Sequence, residues 1–273
     1  MEDKPSAVVP GIAVAAQPKW AVPPRERGDD FQIEPLTRAE IFVHATGGLL
    51  NGISTSIMLI ILICHVNALL AAWPCTVAML GLGLYVADFV SGFLHWVFDT
   101  WFSERNKSVR RMVLLVREHH IYPGRIFDYG LWREAGILSW FALAVSCPFL
   151  IVALRPSILP AAERYPPVIA GISASLCIVF MLEFHKVGHR MRRGRVTRLL
   201  QRSHLLLSPE HHLRHHAREH DRNYCLINGW ADVTLGRLGV FRGFEHIVSA
   251  ISTAAPREDD REWRRRYGRF VKA

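Results

Sequence analysis

Between Glu40 and Asp88 the chain carries no Asp, Glu, Lys or Arg for 47 consecutive residues. A soluble domain has no use for such an interval, because its surface must meet water along every element; a lipid bilayer demands it. An α-helix rises about 1.5 Å per residue, so about 20 apolar residues cross the hydrocarbon layer and the run holds two spans. We place them at 50–72 and 75–94, broken at Trp73-Pro74, where proline disfavours helix in its predecessor and starts the next helix well. Two later apolar stretches add spans at 135–154, with Pro148 inside, and at 167–182, the latter continuing past the lipid as 183–190. The expected fold class is therefore all-α: a four-transmembrane-helix, multi-pass membrane protein.

Basic residues orient it, since cytoplasmic loops collect Lys and Arg. Of 33 Lys and Arg, two fall in the 155–166 connector and none in the turn at Trp73, while 31 lie in segments that a four-span topology puts on one side. Both termini are thus expected in the cytoplasm. Within the arm 1–45, residues 1–32 carry five prolines among alanines and mixed charges and no basic start followed by an apolar core, so the segment reads as a flexible cytoplasmic arm and not as a signal peptide. The five cysteines form no C-x-x-C pair, which argues against a disulfide framework or a cysteine zinc site. Arg outnumbers Lys 28 to 5; with no nucleic-acid motif present, the excess reads as attraction to anionic lipid, and a nucleic-acid partner is excluded.

Under this topology all but His65 of the 14 histidines fall on the cytoplasmic side, most of them in short patterns. His95 and Asp99 stand at i, i+4 on a stripe of the second span shared with Asp88 and Gly92; His119-His120 follow Glu118; His185 and His189 are again i, i+4; and the run from His211 to His216 supplies two more such pairs. Imidazoles one helical turn apart can reach a common ion a little over 2 Å away. Several pairs on one side of the bilayer point to metal, and the expected architecture is a histidine-rich helical cap on the membrane bundle. Nitrogen-rich, thiolate-free ligands suit iron, zinc, copper or nickel, and eight or more histidines exceed the needs of one tetrahedral ion, so two ions are expected. The 185–189 pair lacks the glutamate of H-E-x-x-H, which disfavours zinc hydrolysis. Two irons could activate dioxygen and remove hydrogen from a lipid chain, a reaction for which no side chain is oxidising enough.

The series D-x-x-S-G-x-x-H-W-x-x-D (88–99), R-E-H-H-I (117–121), H-K-x-x-H (185–189) and P-x-H-H-x-x-H-H followed by N-Y-C-x-x-x-G-W (209–230) resembles the lipid desaturases of the Kua type. That family includes plasmanylethanolamine desaturases, which make the vinyl ether of plasmalogens, and a plastid branch acting on acyl chains. The resemblance covers 46–247 as a desaturase domain and leaves 248–273 as a basic tail. It implies a ligand set of His95, Asp99, His119, His120, His185, His189, His212, His215 and His216, with His211 and His204 as possible additions. Asp88, a carboxylate inside a span, is expected to hydrogen-bond a ligand histidine. His65 is expected at the far interface, Trp96, Trp101, Trp132 and Trp140 in an interfacial belt, and His44 and His246 outside the site.

The implied activity is a di-iron, O2-dependent lipid desaturase acting on a membrane phospholipid, with a 1-O-alkyl chain favoured and acyl desaturation or lipid hydroxylation as alternatives of the same chemistry. One departure bears on the substrate: where the plasmalogen branch has a His-Asp-Phe and then polar Asn and Asp residues, this chain reads Tyr129-Gly130-Leu131 and Ala135-Gly136-Ile137-Leu138. Dioxygen takes four electrons and the substrate yields two, and the chain has neither C-x-x-C-H nor G-x-G-x-x-G, so a separate electron donor, cytochrome b5-like or ferredoxin-like, is expected. Arg192, Arg193, Arg195 and Arg198 are a candidate dock for it, although a lipid-facing charge run is the stronger reading. A metal transporter is the remote alternative, disfavoured because Asp88 is the one charge inside the spans.

Overall fold

The computed structural model describes residues 34–155, 157–190, 193–217 and 220–267, and among them there are helices and no strand. Most of the N-terminal arm, residues 1–33, lies outside the described residues, as does Arg192. The helices are α1 (Arg38–Cys64), α2 (Val66–Ala71), α3 (Trp73–Thr100), α4 (Arg110–Ile121), α5 (Leu131–Leu154), α6 (Ala161–Arg164), α7 (Pro166–Val179), α8 (Met181–His189), α9 (Arg195–Arg202), α10 (Pro209–His216), α11 (Val240–Ser252) and α12 (Glu258–Tyr267), with a 3-10 segment at Pro123–Asp128. Three of them, α1, α3 and α5, are long and apolar enough to cross a membrane, and α7 with α8 makes a fourth if the bent pair is one span.

The first span starts twelve residues earlier than the expected 50, because a capping box at Thr37 begins the helix before the apolar run does: Glu40 N–H donates to the Thr37 hydroxyl and Thr37 N–H to the Glu40 carboxylate. It also ends earlier, at His65, whose ring stacks on Tyr165 with centroids 3.7 Å apart. The expected break at Trp73-Pro74 is present as the start of α3, with Pro74 in its first turn. Pro148 does not interrupt α5.

Helix directions follow from which residues meet. Gly47 of α1 lies against Gly136 and Trp140 of α5, Gly83 of α3 lies against Ala170 and Ser173 of α7, and Asn51 early in α1 meets Ser175 late in α7, so α1 and α5 run one way and α3 and α7 the other. The start of α1, the end of α3, the start of α5 and the end of α7 therefore share one end of the bundle. Its interior is small and weakly polar. Ala87, Ala142, Ala170 and Ala174 are buried, and Ser175 donates to the Asn51 side chain across α1 and α7 at 3.0 Å. The large aliphatics Ile60, Ile63, Leu70 and Val77 face outward. That is the pattern of helices in lipid, where chains as apolar as Leu offer no drive to bury Leu, and small residues allow close backbone packing.

The fourth element departs from expectation. The sequence reads as one helix from 167 to 190, but α8 turns off α7 by 58° at Phe180. No proline or glycine sits at the break. Long-range contacts meet α8 beyond the turn: Lys186, which also pairs with Glu183 one turn back, donates to the Tyr129 carbonyl at 2.7 Å, and Gly188 lies against Leu207. The bend swings His185 and His189 across the end of the bundle.

Candidate metal centre

Four short segments bring the histidines together at that end: the last turns of α3, the end of α4, α8 and α10. Each presents an i, i+4 or adjacent pair. α10 starts by a proline in its first turn and by a Ser208 cap that accepts from His211 N–H. All nine residues of the expected set are brought together, and they sort into two groups. One holds His119, His185, His189, His212 and His216; the other holds His95, Asp99, His120 and His215. Within each, the ligand atoms lie within 4.8 Å of one another.

The first group has the spacing of a shared ion. The Nε2 atoms of His185 and His212 are 2.8 Å apart, those of His212 and His189 2.9 Å, those of His189 and His185 3.2 Å, and those of His216 and His212 3.0 Å. Nitrogens about 2.1 Å from one ion and at right angles sit about 3 Å apart. Hydrogen bonds cannot satisfy this cluster, because each Nε2 is either donor or acceptor and three in a triangle must include one like pair. Burial, aided by the neighbouring rings, drives His119, His212 and His216 well below the usual histidine pKa, so they are neutral and offer lone pairs.

In the second group, His95 Nε2 and His215 Nε2 lie 3.5 and 3.4 Å from Asp99 Oδ2, and His120 Nε2 lies 3.0 Å from His215 Nε2. Asp99 is fully buried. The opposite ring atoms set the tautomers. Nδ1–H of His95 donates to the Tyr224 carbonyl at 2.9 Å, that of His119 to Leu115 at 3.1 Å and that of His215 to Arg222 at 2.9 Å. A carbonyl only accepts, so each of these rings turns its Nε2 lone pair to the centre. The buried Nε2 atoms of His95 and His119 have no hydrogen-bond partner among the described residues. The donor set thus fits two ions bound by nitrogen with one carboxylate.

Two possible additions stand elsewhere. His204 is exposed, with φ 57°. His211 Nε2 lies 2.9 Å from Asp232 Oδ2 and packs under Gly229, bracing a loop outside both groups. Asp88 also differs from its expected role, since its carboxylate takes backbone and not histidine: Oδ1 accepts from Ile227, Asn228 and Gly229 N–H and Oδ2 from Ala231 N–H, at 3.0 to 3.1 Å. Ser91 Oγ accepts from Leu226 N–H, and Gly92 leaves room for Cys225, which a Cβ there would meet at 2.5 Å. The D-x-x-S-G stripe is therefore a cradle for loop 224–231. That loop carries the Tyr224 carbonyl that orients His95, so Asp88 acts on the site through the loop.

Sequence reasoning missed His220, which is buried beside His120 with its Nδ1 3.1 Å from Asp260 Oδ2. Its spacing of four from His216 was the available signal. Trp96 was expected in an interfacial belt but is buried, donating to Glu245, whereas Trp132 is exposed. On the bundle side, a narrow cavity of about 50 Å³ is walled by Leu94, Phe98, Leu115 and Met181 and reaches His95, His119 and His185. Both ligand groups therefore border one apolar slot.

The lipid desaturase domain family matches residues 84–259 of the chain. The plasmanylethanolamine desaturase of Myxococcus xanthus is 31% identical over 182 residues, which cover 66% of this chain and 62% of that protein. Plasmanylethanolamine desaturase 1 of Mus musculus is 30% identical over 71% of this chain and 74% of its own length. The chloroplastic fatty acid desaturase 4-like 2 of Arabidopsis thaliana is 26% identical over 61% of this chain and 57% of its own. No solved structure matches the chain.

Proposed function

The chain belongs to the lipid desaturase domain family, and on that premise we propose that it is an O2-dependent, di-iron desaturase that converts a 1-O-alkyl glycerophospholipid to its 1-O-alk-1'-enyl form. The observation that carries this reading is the apolar slot bordered by both histidine groups at one end of a helical membrane bundle.

His119, His185, His189, His212 and His216 would hold one iron, and His95, Asp99, His120 and His215 the other. When bound, the irons supply the oxidising power for removing two hydrogens from neighbouring chain carbons, with dioxygen reduced to water. The protein's part is binding and orientation. Leu94, Phe98, Leu115 and Met181 exclude water and favour a hydrocarbon chain, and His95, His119 and His185 bring it beside both ligand groups. The carbonyls of Tyr224, Leu115 and Arg222 keep three rings in one tautomer through each turnover. The relatives named for plasmanylethanolamine favour the ether-linked chain.

The distribution of Lys and Arg supports a reading with both termini and the histidine end on the cytoplasmic side, the lipid chain entering from the inner leaflet. Two electrons come from a separate cytoplasmic donor, cytochrome b5-like or ferredoxin-like. Arg193, Arg195 and Arg198 are its candidate dock.

The test is expression in cells supplied with alkyl ether lipid, beside a His120→Ala control, with lipids read by mass spectrometry and an acid-lability assay. A product two hydrogens lighter and acid-labile, absent in the control, is the expected result. Loss of two hydrogens from an ester-linked chain would move the activity to acyl lipids, and gain of one oxygen would make the enzyme a hydroxylase. Unchanged lipids, with iron bound and a reductant present, would overturn the reading.

A further inference from the structure

His120 is the one histidine of its group whose ring is held by no backbone carbonyl: His95 and His215 donate Nδ1–H to Tyr224 and Arg222, whereas His120 Nδ1 has no hydrogen-bond partner among the described residues. Asp99 Oδ1 lies 3.7 Å from that nitrogen, beyond hydrogen-bond reach, and the closest packing partner of the ring plane is another imidazole. His220 stacks on the His120 ring with centroids 3.8 Å apart and planes 30° from parallel. His220 sits at φ 52°, a backbone conformation that a residue with a side chain rarely adopts and that persists where the surroundings impose it.

The imposing contact comes from the end of the chain. His220 Nδ1 donates to Asp260 Oδ2 at 3.1 Å, and both residues are buried. Asp260 lies in the first turn of α12, and the residues before it are tied to the same site. Arg257 N–H donates to the Thr100 carbonyl, next to Asp99, at 2.8 Å. The Arg257 guanidinium grips both carboxylate oxygens of Glu245, at 2.6 and 3.0 Å, and reaches the Tyr224 hydroxyl at 3.3 Å.

We propose that Asp260 and His220 form a brace that sets the ring plane of His120, making the C-terminal helix a working part of the metal centre and not a tail. Both are positioning residues, acting on the second ion's affinity through His120. The proposal rests on the reading that the two histidine groups hold metal.

The experiment is Fe(II) titration of the full chain in lipid nanodiscs against a competing chelator, with Co(II) visible absorption as the signature of ligand geometry. Thermal melting of the metal-free protein runs alongside. Removing partners that orient a ligand typically costs 10- to 100-fold in metal affinity, so His220→Ala and Asp260→Ala should weaken one of two binding events by about that factor and shift its Co(II) spectrum. The shape-conserving Asp260→Asn and His220→Phe, which guard against a misfolded alanine variant, should cost only a few-fold. Two wild-type affinities and an unchanged spectrum in all folded variants would overturn the brace alone. Loss of a third metal equivalent on Asp260→Ala would also overturn it, because His120, His220 and Asp260 would then be a metal site of their own. A wild-type chain that binds no metal would overturn the metal centre and the brace together.

Discussion

In the bundle, α1 turns Ile60 and Ile63 outward and Asn51 and Ser54 inward; at the histidine end, His119, His212, His215, Glu118 and Asp260 are all buried. The two halves bury polar groups for different reasons. Ser175 and Asn51 pair across helices, Ser139 and Ser173 donate back to carbonyls of their own helices, all neutral hydrogen bonds, and glycines such as Gly83 let backbones touch. The other half concentrates ionisable groups whose lone pairs point at each other. Such an arrangement is favoured where outer bonds fix rings, as they do for His95, His119 and His215, and an ion takes the inner positions. The bundle's stability is therefore spread over many small packing contacts, while the histidine end hangs on a few charged acceptors, Asp88 and Asp232 among them.

Substituting one inner nitrogen should separate function from fold most sharply. His212→Ala removes the Nε2 that approaches three others; vinyl-ether product should fall below detection and bound iron from about two equivalents toward one, with the helical circular dichroism unchanged. Asp88→Ala should act the other way, on the fold first. It strips the acceptor from four buried N–H groups, a loss of about 3–5 kcal/mol of the kind seen when one partner of a buried charged contact is removed. Denaturation in detergent would read it, and wild-type stability would mean that loop 224–231 finds other partners. Gly83→Val tests the bundle: even a Cβ would meet the Ala170 carbonyl oxygen at 2.5 Å, so overpacking should cost about 1–3 kcal/mol while iron content per folded molecule stays at the wild-type level. Ile60→Val, on the outward face, should change stability by less than about 0.5 kcal/mol. A large effect there would place Ile60 against protein and not lipid.

The residues differ in how much of this their local pattern carries. A charge-free run needs no partner to declare itself, since lipid penalises every exposed charge along it, and so the membrane helices were legible at Ile41 through Ala87. The histidine pairs were legible too, because helical spacing puts His185 with His189 and His212 with His216 on one face, while the full candidate set came from the family resemblance. What spacing does not carry is which face meets which. Asp88 looked like a histidine's partner because both lie on one stripe of α3, yet its carboxylate turned to a loop some 140 residues onward, a contact no periodicity encodes.

His204 and His211 were possible additions to the candidate set from sequence, and their place outside both groups follows from where the chain around α10 and the 224–231 loop sets them down. The 58° bend at Phe180 and the division of nine candidate ligands into five and four belong to the same class. Hydropathy and helical periodicity are properties of neighbours along the chain, so composition and order suffice to read them. The bend, the loop cradle and the Asp260–His220 contact arise from groups far apart in sequence that meet because buried donors and acceptors must be paired, and that pairing exists once the chain has folded.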